Sequence, residues 1–122
     1  MWCWGSSANG QYTGSGFDVS AMPVYQQTMP VPSLLAAGQH HTCTLDTETQ
    51  RERCYGNNSD GQLGSAPGDI GANTLVGWTQ IDAAGDSTCG VLAGKLYCFG
   101  ELGDGPEAKQ MGTRSNWRMV DL

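Results

Sequence analysis

Cysteine is the residue type in this chain with the most evident chemistry, because its sulfur can form a disulfide or bind a metal ion. There are five cysteines, at positions 3, 43, 54, 89 and 98. Ten residues separate Cys43 from Cys54, and eight separate Cys89 from Cys98. Neither pair has the close spacing typical of structural zinc sites. Disulfides are therefore the favoured interpretation, and a zinc protein with free thiols is the alternative.

The segment from Thr88 to Gly100 is predicted to form a β-hairpin with one cysteine on each arm. A two-residue turn at Ala93-Gly94 places Cys89 opposite Cys98, and glycine can adopt the positive φ that such turns require. Directly opposed Cβ atoms in an antiparallel pair lie about 4.5–5.5 Å apart, closest in non-hydrogen-bonded pairs, which is near the spacing of a disulfide. The register therefore predicts the disulfide Cys89–Cys98.

This hairpin is part of a longer internal repeat. An equivalent hairpin places Cys43 opposite Cys54, which predicts a second disulfide, and Trp2-Cys3-Trp4-Gly5 repeats the end of the unit alone. The residues that follow, 4–12 and 55–63, align without a gap. Cys3 and Cys54 are 51 positions apart and Cys54 and Cys98 are 44 apart. This period is typical of propeller blades and similar arrays.

The repeat resembles a known family. The pattern Ala-Ala-Gly-x-His-x-Thr-Cys-x-Leu, then Cys-aromatic-Gly-x-Asn-x-x-Gly-Gln-Leu-Gly, is similar to repeats of the regulator of chromosome condensation family. It looks most like the cysteine-bearing variants of secreted and cell-surface proteins. The resemblance covers essentially the whole chain and implies four-stranded blades in a propeller. In two places the chain departs from it: Asp86-Ser87 replaces the His-bearing segment in one copy, and the last copy lacks the Asn-rich turn.

The predicted fold class is accordingly all-β, an incomplete β-propeller of about two and a half blades of antiparallel hairpin repeats. Residues 1–122 are predicted to be one repeat segment, with a partial repeat 1–35, a repeat 36–82 and a truncated repeat 83–122. Residues 46–53 are predicted to be an exposed polar hairpin tip, 66–75 and 101–115 to be loops, and 76–81 and 117–122 to be strands.

Cys3 is left over from the two predicted pairs. In the repeat, its partner would lie on a strand about ten residues upstream, before Met1. At the other end, residues 117–120 match residues 78–81, the beginning of a repeat. An unpaired strand edge invites pairing with another chain. We therefore expect this chain to be part of a longer array or to associate with copies of itself, with Cys3 as the candidate for an interchain disulfide.

Three further groups of side chains have types that bind metals or ligands. His40-His41-x-Cys43 has the composition of a metal ligand set or a Cys/His dyad, but it is the repeat's own sequence and Cys43 has a predicted partner. Four aspartates lie beside or near glycines without the spacing of an EF-hand loop, so turn capping is favoured over calcium binding: Asp18, Asp60, Asp69 and Asp104. Four tryptophans are candidates for a carbohydrate-stacking shelf, although packing between sheets is favoured: Trp2, Trp4, Trp78 and Trp117.

The turn Asn57-Asn58-Ser59 is an N-glycosylation sequon, which makes Asn57 a candidate glycan acceptor if the chain follows a eukaryotic secretory route. No catalytic residue, metal site or cofactor is predicted, since no nucleophile–base pair or phosphate-binding loop stands out. The chain is therefore not expected to be an enzyme.

Composition restricts the partners. The net charge is −6 and the six basic residues are scattered, whereas a nucleic-acid groove needs several on one face. Leu, Ile, Val and Phe total 19 residues, so the core is small and needs cross-links or a partner. No apolar run approaches the roughly 18 residues of a membrane span. Paired cysteines indicate an oxidising compartment, which predicts an extracellular or cell-surface location.

The function predicted from these features is a non-catalytic extracellular module that binds proteins or acts as a scaffold. Its partner would be another protein or other copies of itself, with a glycan as a further candidate. Two alternatives remain open: a structural subunit that polymerises head to tail into a filament or ring, and an inhibitor-like or carbohydrate-binding propeller.

Overall fold

The computed structural model describes residues 2–11, 19–25, 32–64 and 76–122. Within these ranges the chain forms β-strands and one short 3-10 turn, Glu101–Gly103, with no α-helix. The strands are β1 Trp2–Ser6, β2 Val19–Tyr25, β3 Leu34–Ala37, β4 His41–Asp46, β5 Arg51–Gly56, β6 Trp78–Ala84, β7 Ser87–Leu92, β8 Lys95–Gly100 and β9 Gly105–Gln110. The all-β prediction is confirmed.

The strands form three antiparallel sheets, in chain order. The first sheet is β1-β2, the second is β3-β4-β5 and the third is β6-β7-β8-β9. The third sheet is thus a complete four-stranded blade. The two-residue turn of its central hairpin lies at Ala93-Gly94, where both residues have positive φ, and Cys89 lies opposite Cys98 as the sequence register indicates.

The core lies between the second and third sheets, where β6 packs against β3 and β4. Trp78 at the start of β6 is fully buried, with Phe99 in an edge-on contact at 6.4 Å between ring centroids. The cluster also contains Leu45, Leu63 and Ile81. Since aliphatic residues are few, this one aromatic-centred interface holds most of the buried apolar side chains of the described chain.

Two of the secondary-structure predictions are wrong, one for a loop and one for a strand. The expected loop 101–115 contains strand β9, which pairs with β8 and completes the blade. The expected strand 117–122 is not a strand, because none of the described strands pairs with it. Its backbone instead donates to the Gly94 carbonyl oxygen from the Trp117 N–H at 2.8 Å and to the Asp82 carboxylate from the Leu122 N–H.

The predicted hairpin tip 46–53 is also shorter than expected. Strands β4 and β5 pair as far as Asp46 and Arg51, so the turn is residues 47–50 alone. Glu52 follows the alternation of β5 onto the same face as Cys54 and is buried rather than solvated. The expected loop 66–75 lies outside the described residues. Among those that are described, no helix is both long and apolar enough to cross a membrane.

Candidate functional site

A groove of about 530 Å3 separates the first sheet from the second. Strand β1 lines one side, and β3 with the beginning of β4 lines the other. Its walls include Trp2, Cys3, Trp4, Leu35 and Ala37. This groove collects exposed apolar side chains beside a free thiol, and we therefore treat it as the candidate site.

Strand β1 occupies the place in the first sheet that β8 occupies in the third. Cys3 and Cys98 each pair with the following strand, β2 or β9, and in both pairs the register shifts between the cysteine and the next glycine. On its other edge β8 pairs with β7, which brings Cys89 opposite Cys98. Within the described residues β1 pairs with β2 alone. No described strand pairs with the edge of β1 that corresponds to the β7 side of β8.

Strand β3 shows the same incompleteness on the other wall. The pairing registers make Leu35 and Ala37 equivalent to Ile81 and Ala83. Ile81 and Ala83 are each 7% exposed, because they pack against the second sheet, whereas Leu35 is 52% exposed. Residues that are buried where two complete blades meet are thus exposed at the groove. The groove has the character of an interface between blades from which one partner surface is missing.

The complete interface between the second and third sheets shows what polar contacts such a junction contains. His41 Nε2 lies 2.8 Å from Thr88 Oγ1, and the Thr88 hydroxyl donates to the Gln62 carbonyl oxygen at 2.9 Å. The Gln62 side-chain amide donates to the Asp86 carboxylate at 3.1 Å. The backbone N–H of Gln39 also donates across the junction, to the Gly85 carbonyl oxygen.

This chain of hydrogen bonds determines the tautomer of His41. A carbonyl oxygen can only accept, so the single Thr88 proton is directed to Gln62, and His41 must donate from Nε2. Neutral His41 therefore carries its lone pair on Nδ1, which is buried and has no hydrogen-bond partner among the described residues. His41 is 1% exposed and lines the groove.

Thr88→Val tests the inter-blade chain of hydrogen bonds. Valine keeps the shape of threonine but leaves the His41 Nε2–H and the Gln62 carbonyl buried without partners. We expect a loss of about 2 kcal/mol in the free energy of unfolding, measured by urea denaturation. Thr88→Ser keeps the hydroxyl and should lose less than about 1 kcal/mol; equal losses for the two variants would contradict this role.

The protonation of His41 predicts a pH dependence of stability. Burial lowers the pKa of His41 below its ordinary value of 6.5, against the opposing effect of the nearby Asp86 carboxylate. The unfolded chain therefore binds a proton near pH 6.5 while the folded chain does not. The free energy of unfolding should therefore decrease as the pH falls from 6.5 toward the pKa of His41 in the folded chain. The slope should be at most about 1.4 kcal/mol per pH unit. His41→Gln cannot titrate and should lack this component in urea titrations from pH 7.5 to 5; an unchanged slope would argue against it.

The structure places the four hairpin cysteines in pairs and leaves the fifth alone. The sulfurs of Cys43 and Cys54 are 2.09 Å apart and those of Cys89 and Cys98 are 2.02 Å apart, all four buried. Cys3 is a free, partly buried thiol beside the groove. Burial raises the pKa of the Cys3 thiol, which is the opposite of the shift that an activated nucleophile requires.

Within the ranges that the structure describes, one cluster has the composition of a metal site. Potential ligand atoms of Cys43, Glu52 and Cys54 lie within 4.8 Å of one another, and all three residues are buried. Sulfurs joined to each other cannot act as thiolate ligands. The cluster could therefore hold a metal ion only after reduction. His41 and Cys43 do not form a dyad, because the imidazole is bonded to Thr88 and the sulfur to Cys54.

The tryptophans and aspartates that the sequence offered as ligand-binding candidates do not come together in one site. Trp78 is in the core while Trp2 and Trp4 are on β1, so the four tryptophans do not form one shelf. The Asp60 carboxylate accepts from the Ser59 hydroxyl, and Asp104 pairs with Lys109, so each has a local role in its turn. The calcium candidates Asp18 and Asp69 lie outside the described residues.

Sequence patterns alone did not indicate Leu35, Ala37 or the His41–Thr88–Gln62 chain as parts of a site. The sequence feature that could have indicated this chain is the threonine that precedes the first cysteine of each hairpin, at positions 42 and 88. The role of Thr88 depends on contacts between the second and third sheets.

The sequence matches no known family model and no curated protein. The fold is similar to that of Prp20p from Saccharomyces cerevisiae, whose binding to Gsp1p and histones has been characterised, with a TM-score of 0.68 and 17% identity over 93% of this chain and 34% of that chain. Human WBSCR16 has a TM-score of 0.67 and 18% identity, over 91% of this chain and 34% of its own. Yeast RCC1 (Prp20) bound to Kap60 has a TM-score of 0.67 and 18% identity, over 93% and 34%.

At this level of identity the likeness concerns the fold alone, and the chain spans about a third of the length of the solved structures it matches. The three antiparallel sheets of the described residues, in chain order, agree with that likeness. The described chain therefore has the fold of an incomplete β-propeller.

Proposed function

We propose that this chain is a non-catalytic, protein-binding propeller module that works outside the cell. The observation that carries the proposal is the groove, where Trp4 and Leu35 are 65% and 52% exposed at positions whose equivalents, Phe99 and Ile81, are buried. Burial of such side chains by a partner is the main favourable contribution to protein association. The similar structures support the same class of function, since Prp20p binds Gsp1p and histones and is seen bound to Kap60.

A binding role fits the groove better than a catalytic one. The nucleophilic group in its wall is Cys3, and the raised pKa of that thiol disfavours the reactive thiolate. The histidine in the same wall donates Nε2–H to Thr88 and is held as part of the packing between sheets. The net charge of −6 also favours a protein partner over nucleic acid.

An extracellular location is proposed from two features. Two buried sulfur pairs at bonding distance are typical of proteins that fold in oxidising compartments. The sequon Asn57-Asn58-Ser59 lies in a turn in which Asn57 is half-buried and Ser59 is exposed, and the Asn57 side-chain oxygen accepts from the Ser59 N–H at 2.7 Å. Asn57 remains a proposed glycan acceptor on this basis. The division into repeats 1–35, 36–82 and 83–122 also stays a proposal.

Head-to-tail association of copies is a second candidate, supported by a specific contact. The Gly77 N–H donates to the Gln50 carbonyl oxygen where the chain enters the third sheet, and the Trp117 N–H, one position further along in the aligned repeat, donates to the Gly94 carbonyl oxygen. Residues 117–122 therefore lie where a further blade would begin. In this arrangement that segment of one copy would face the groove of the next. An inhibitor-like or carbohydrate-binding role stays a prediction without a structural observation in its favour.

Site-specific photo-crosslinking tests the binding function. A photoactivatable residue at position 4 faces the groove, and one at position 102 is the control, because Leu102 is similarly exposed but lies on the 3-10 turn of the third sheet. In the medium of cells that secrete the protein, we expect discrete cross-linked protein bands from position 4 and none from position 102. Bands at the mass of a homodimer would select the second candidate, and no bands from position 4 would contradict both.

A further inference from the structure

The hairpin of the second sheet has a buried carboxyl group beside its sulfur pair. Glu52 alternates onto the same face of β5 as Cys54, and both residues are buried. Glu52 Oε1 lies 3.0 Å from Cys54 Sγ, and the potential ligand atoms of Cys43, Glu52 and Cys54 all lie within 4.8 Å of one another. Two sulfur atoms and a carboxyl oxygen are thus held together inside the protein.

The hairpin of the third sheet shows that the fold does not require this carboxyl group. Leu96 is the equivalent of Glu52, because each stands two positions before the second cysteine of its hairpin. Their cross-strand partners, Val91 and Leu45, are both aliphatic. Removing a carboxyl group from water costs free energy, whereas burying a leucine side chain is favourable. Glu52 therefore occupies a position that suits an apolar residue, which indicates a chemical use for its oxygen atoms.

The short contact between Glu52 and Cys54 depends on the redox state of the hairpin. A sulfur in a disulfide has no hydrogen to donate, and a carboxylate can only accept. Reduction supplies the missing proton, because a thiol at Cys54 would donate to Glu52 Oε1. A metal ion bound to both atoms would take the place of that proton. An ionised Glu52 is therefore matched to the reduced hairpin.

Two thiolates and one carboxylate form a ligand set that suits zinc. Zn²⁺ binds both sulfur and oxygen, at about 2.3 Å and about 2.0–2.2 Å, so neighbouring ligand atoms of a tetrahedral site lie roughly 3.5–3.8 Å apart. Three side chains whose ligand atoms lie within 4.8 Å of one another can reach that spacing by rotation, once the sulfurs are no longer joined. Calcium and magnesium bind oxygen ligands, so the sulfurs disfavour them.

From this cluster we infer that Cys43, Cys54 and Glu52 form a zinc site when the hairpin is reduced. The ion joins β4 to β5 at the place of the disulfide, so this hairpin has a cross-link in both redox states. The hairpin of the third sheet, with Leu96 in place of the carboxylate, has one only when it is oxidised. The inference goes beyond the proposed binding function and does not depend on it.

Formation of the site is a reduction followed by metal binding. A dithiol gives two electrons and two protons to the Cys43–Cys54 bond and itself becomes a disulfide. Zn²⁺ then displaces the two thiol protons and binds both sulfurs as thiolates, with the Glu52 carboxylate as the third ligand and a water molecule as the fourth. Because two protons leave, the apparent affinity for zinc should increase as the pH rises.

The test reduces the full chain with a phosphine, since a dithiol would itself bind zinc. Co²⁺ is the optical probe, because thiolate ligands give it a strong sulfur-to-metal absorption, and Zn²⁺ is then added in competition. We expect one ion per chain, counted by native mass spectrometry. Cys43→Ser with Cys54→Ser should abolish binding, whereas Cys89→Ser with Cys98→Ser should keep it. No binding by the unaltered chain, or equal binding by the two double variants, would overturn the inference.

Substitution of Glu52 separates a built site from a pair of chelating thiols. Glu52→Leu copies Leu96, and Glu52→Gln keeps the shape of the side chain without its charge. Each should lower the zinc affinity of the reduced chain about tenfold or more, since even residues behind a zinc ligand contribute about 10–100-fold. Tryptophan fluorescence of the oxidised variants checks that they fold. An affinity unchanged by both substitutions would contradict the site. Photo-crosslinking from position 4 uses the oxidised protein, so its outcome is separate.

Discussion

Replacing Cys89 and Cys98 together by alanine is expected to lower the free energy of unfolding by about 3 kcal/mol. A cross-link across nine positions removes that much chain entropy from the unfolded state in the loop-closure estimate. The pair lies in the central hairpin of the only four-stranded sheet in the described chain, and both sulfurs are buried. The corresponding double variant of Cys43 and Cys54, separated by eleven positions, should lose a similar amount. Since small domains have only about 5–15 kcal/mol of stability, losing both links should leave the chain largely unfolded.

Urea denaturation followed by tryptophan fluorescence measures these losses, because Trp78 is fully buried in the core. Cys3→Ser is the matched control and should leave the transition unchanged, since Cys3 has no partner in the structure. Peptide mapping without reductant should find the links Cys43–Cys54 and Cys89–Cys98 and one free thiol. Five reactive thiols in the denatured, unreduced protein would refute both the pairing and the proposed oxidising compartment.

Replacing Gly100 by alanine is expected to have a still larger effect, about 4 kcal/mol or more. Gly100 ends β8 with φ 84 and ψ −149, a conformation that only glycine adopts readily. An added Cβ would lie 2.3 Å from the Asp86 carbonyl oxygen and 3.0 Å from Gln62 Cα. Both neighbours are fixed, because Asp86 and Gln62 belong to the hydrogen-bonded junction between the second and third sheets.

Gly85→Ala separates the backbone effect from the packing effect. Gly85 also has positive φ, at 55, but no atom lies within 4 Å of its hypothetical Cβ. The substitution should therefore lose only about 1 kcal/mol, the cost of a left-handed conformation for alanine. Comparable losses at Gly85 and Gly100 in the same urea assay would show that close packing at the junction contributes little.

The sequence repeat predicted the hairpins well because their information is local. The turn at Ala93-Gly94 and the spacing of the cysteines determine which residues face each other, and the observed register agrees. The two segments aligned in the sequence, 4–12 and 55–63, also share a hydrogen bond between equivalent residues. The Asn9 N–H donates to the Gln11 side-chain oxygen, and the Asp60 N–H donates to the Gln62 side-chain oxygen, both at 3.0 Å.

Prediction failed where a strand depends on a distant neighbour. Strand β9 contains a glycine, a proline and two residues of opposite charge, a composition that predicts a loop. It is nevertheless the outer strand of a blade, because it pairs with β8. Residues 117–122 repeat the beginning of β6 but pair with no strand in the described part of the chain, so the same pattern remains irregular. Strand formation at these positions is determined by an available ladder partner more than by the residues themselves.

The β-hairpins, the opposed cysteine pairs and the repetition that indicates a propeller can be predicted from the sequence, because all of these follow from short-range spacing and turn chemistry. How the sheets face each other depends instead on tertiary packing. The turn before β4 is one residue longer than the turn before β7, so Leu35 corresponds to Ile81 rather than to Asp82, the residue that a gapless alignment of the two approaches suggests. The exposure of Leu35 and the burial of its equivalent Ile81 depend on whether a neighbouring sheet covers them, and such coverage is a property of packed sheets that no local pattern contains.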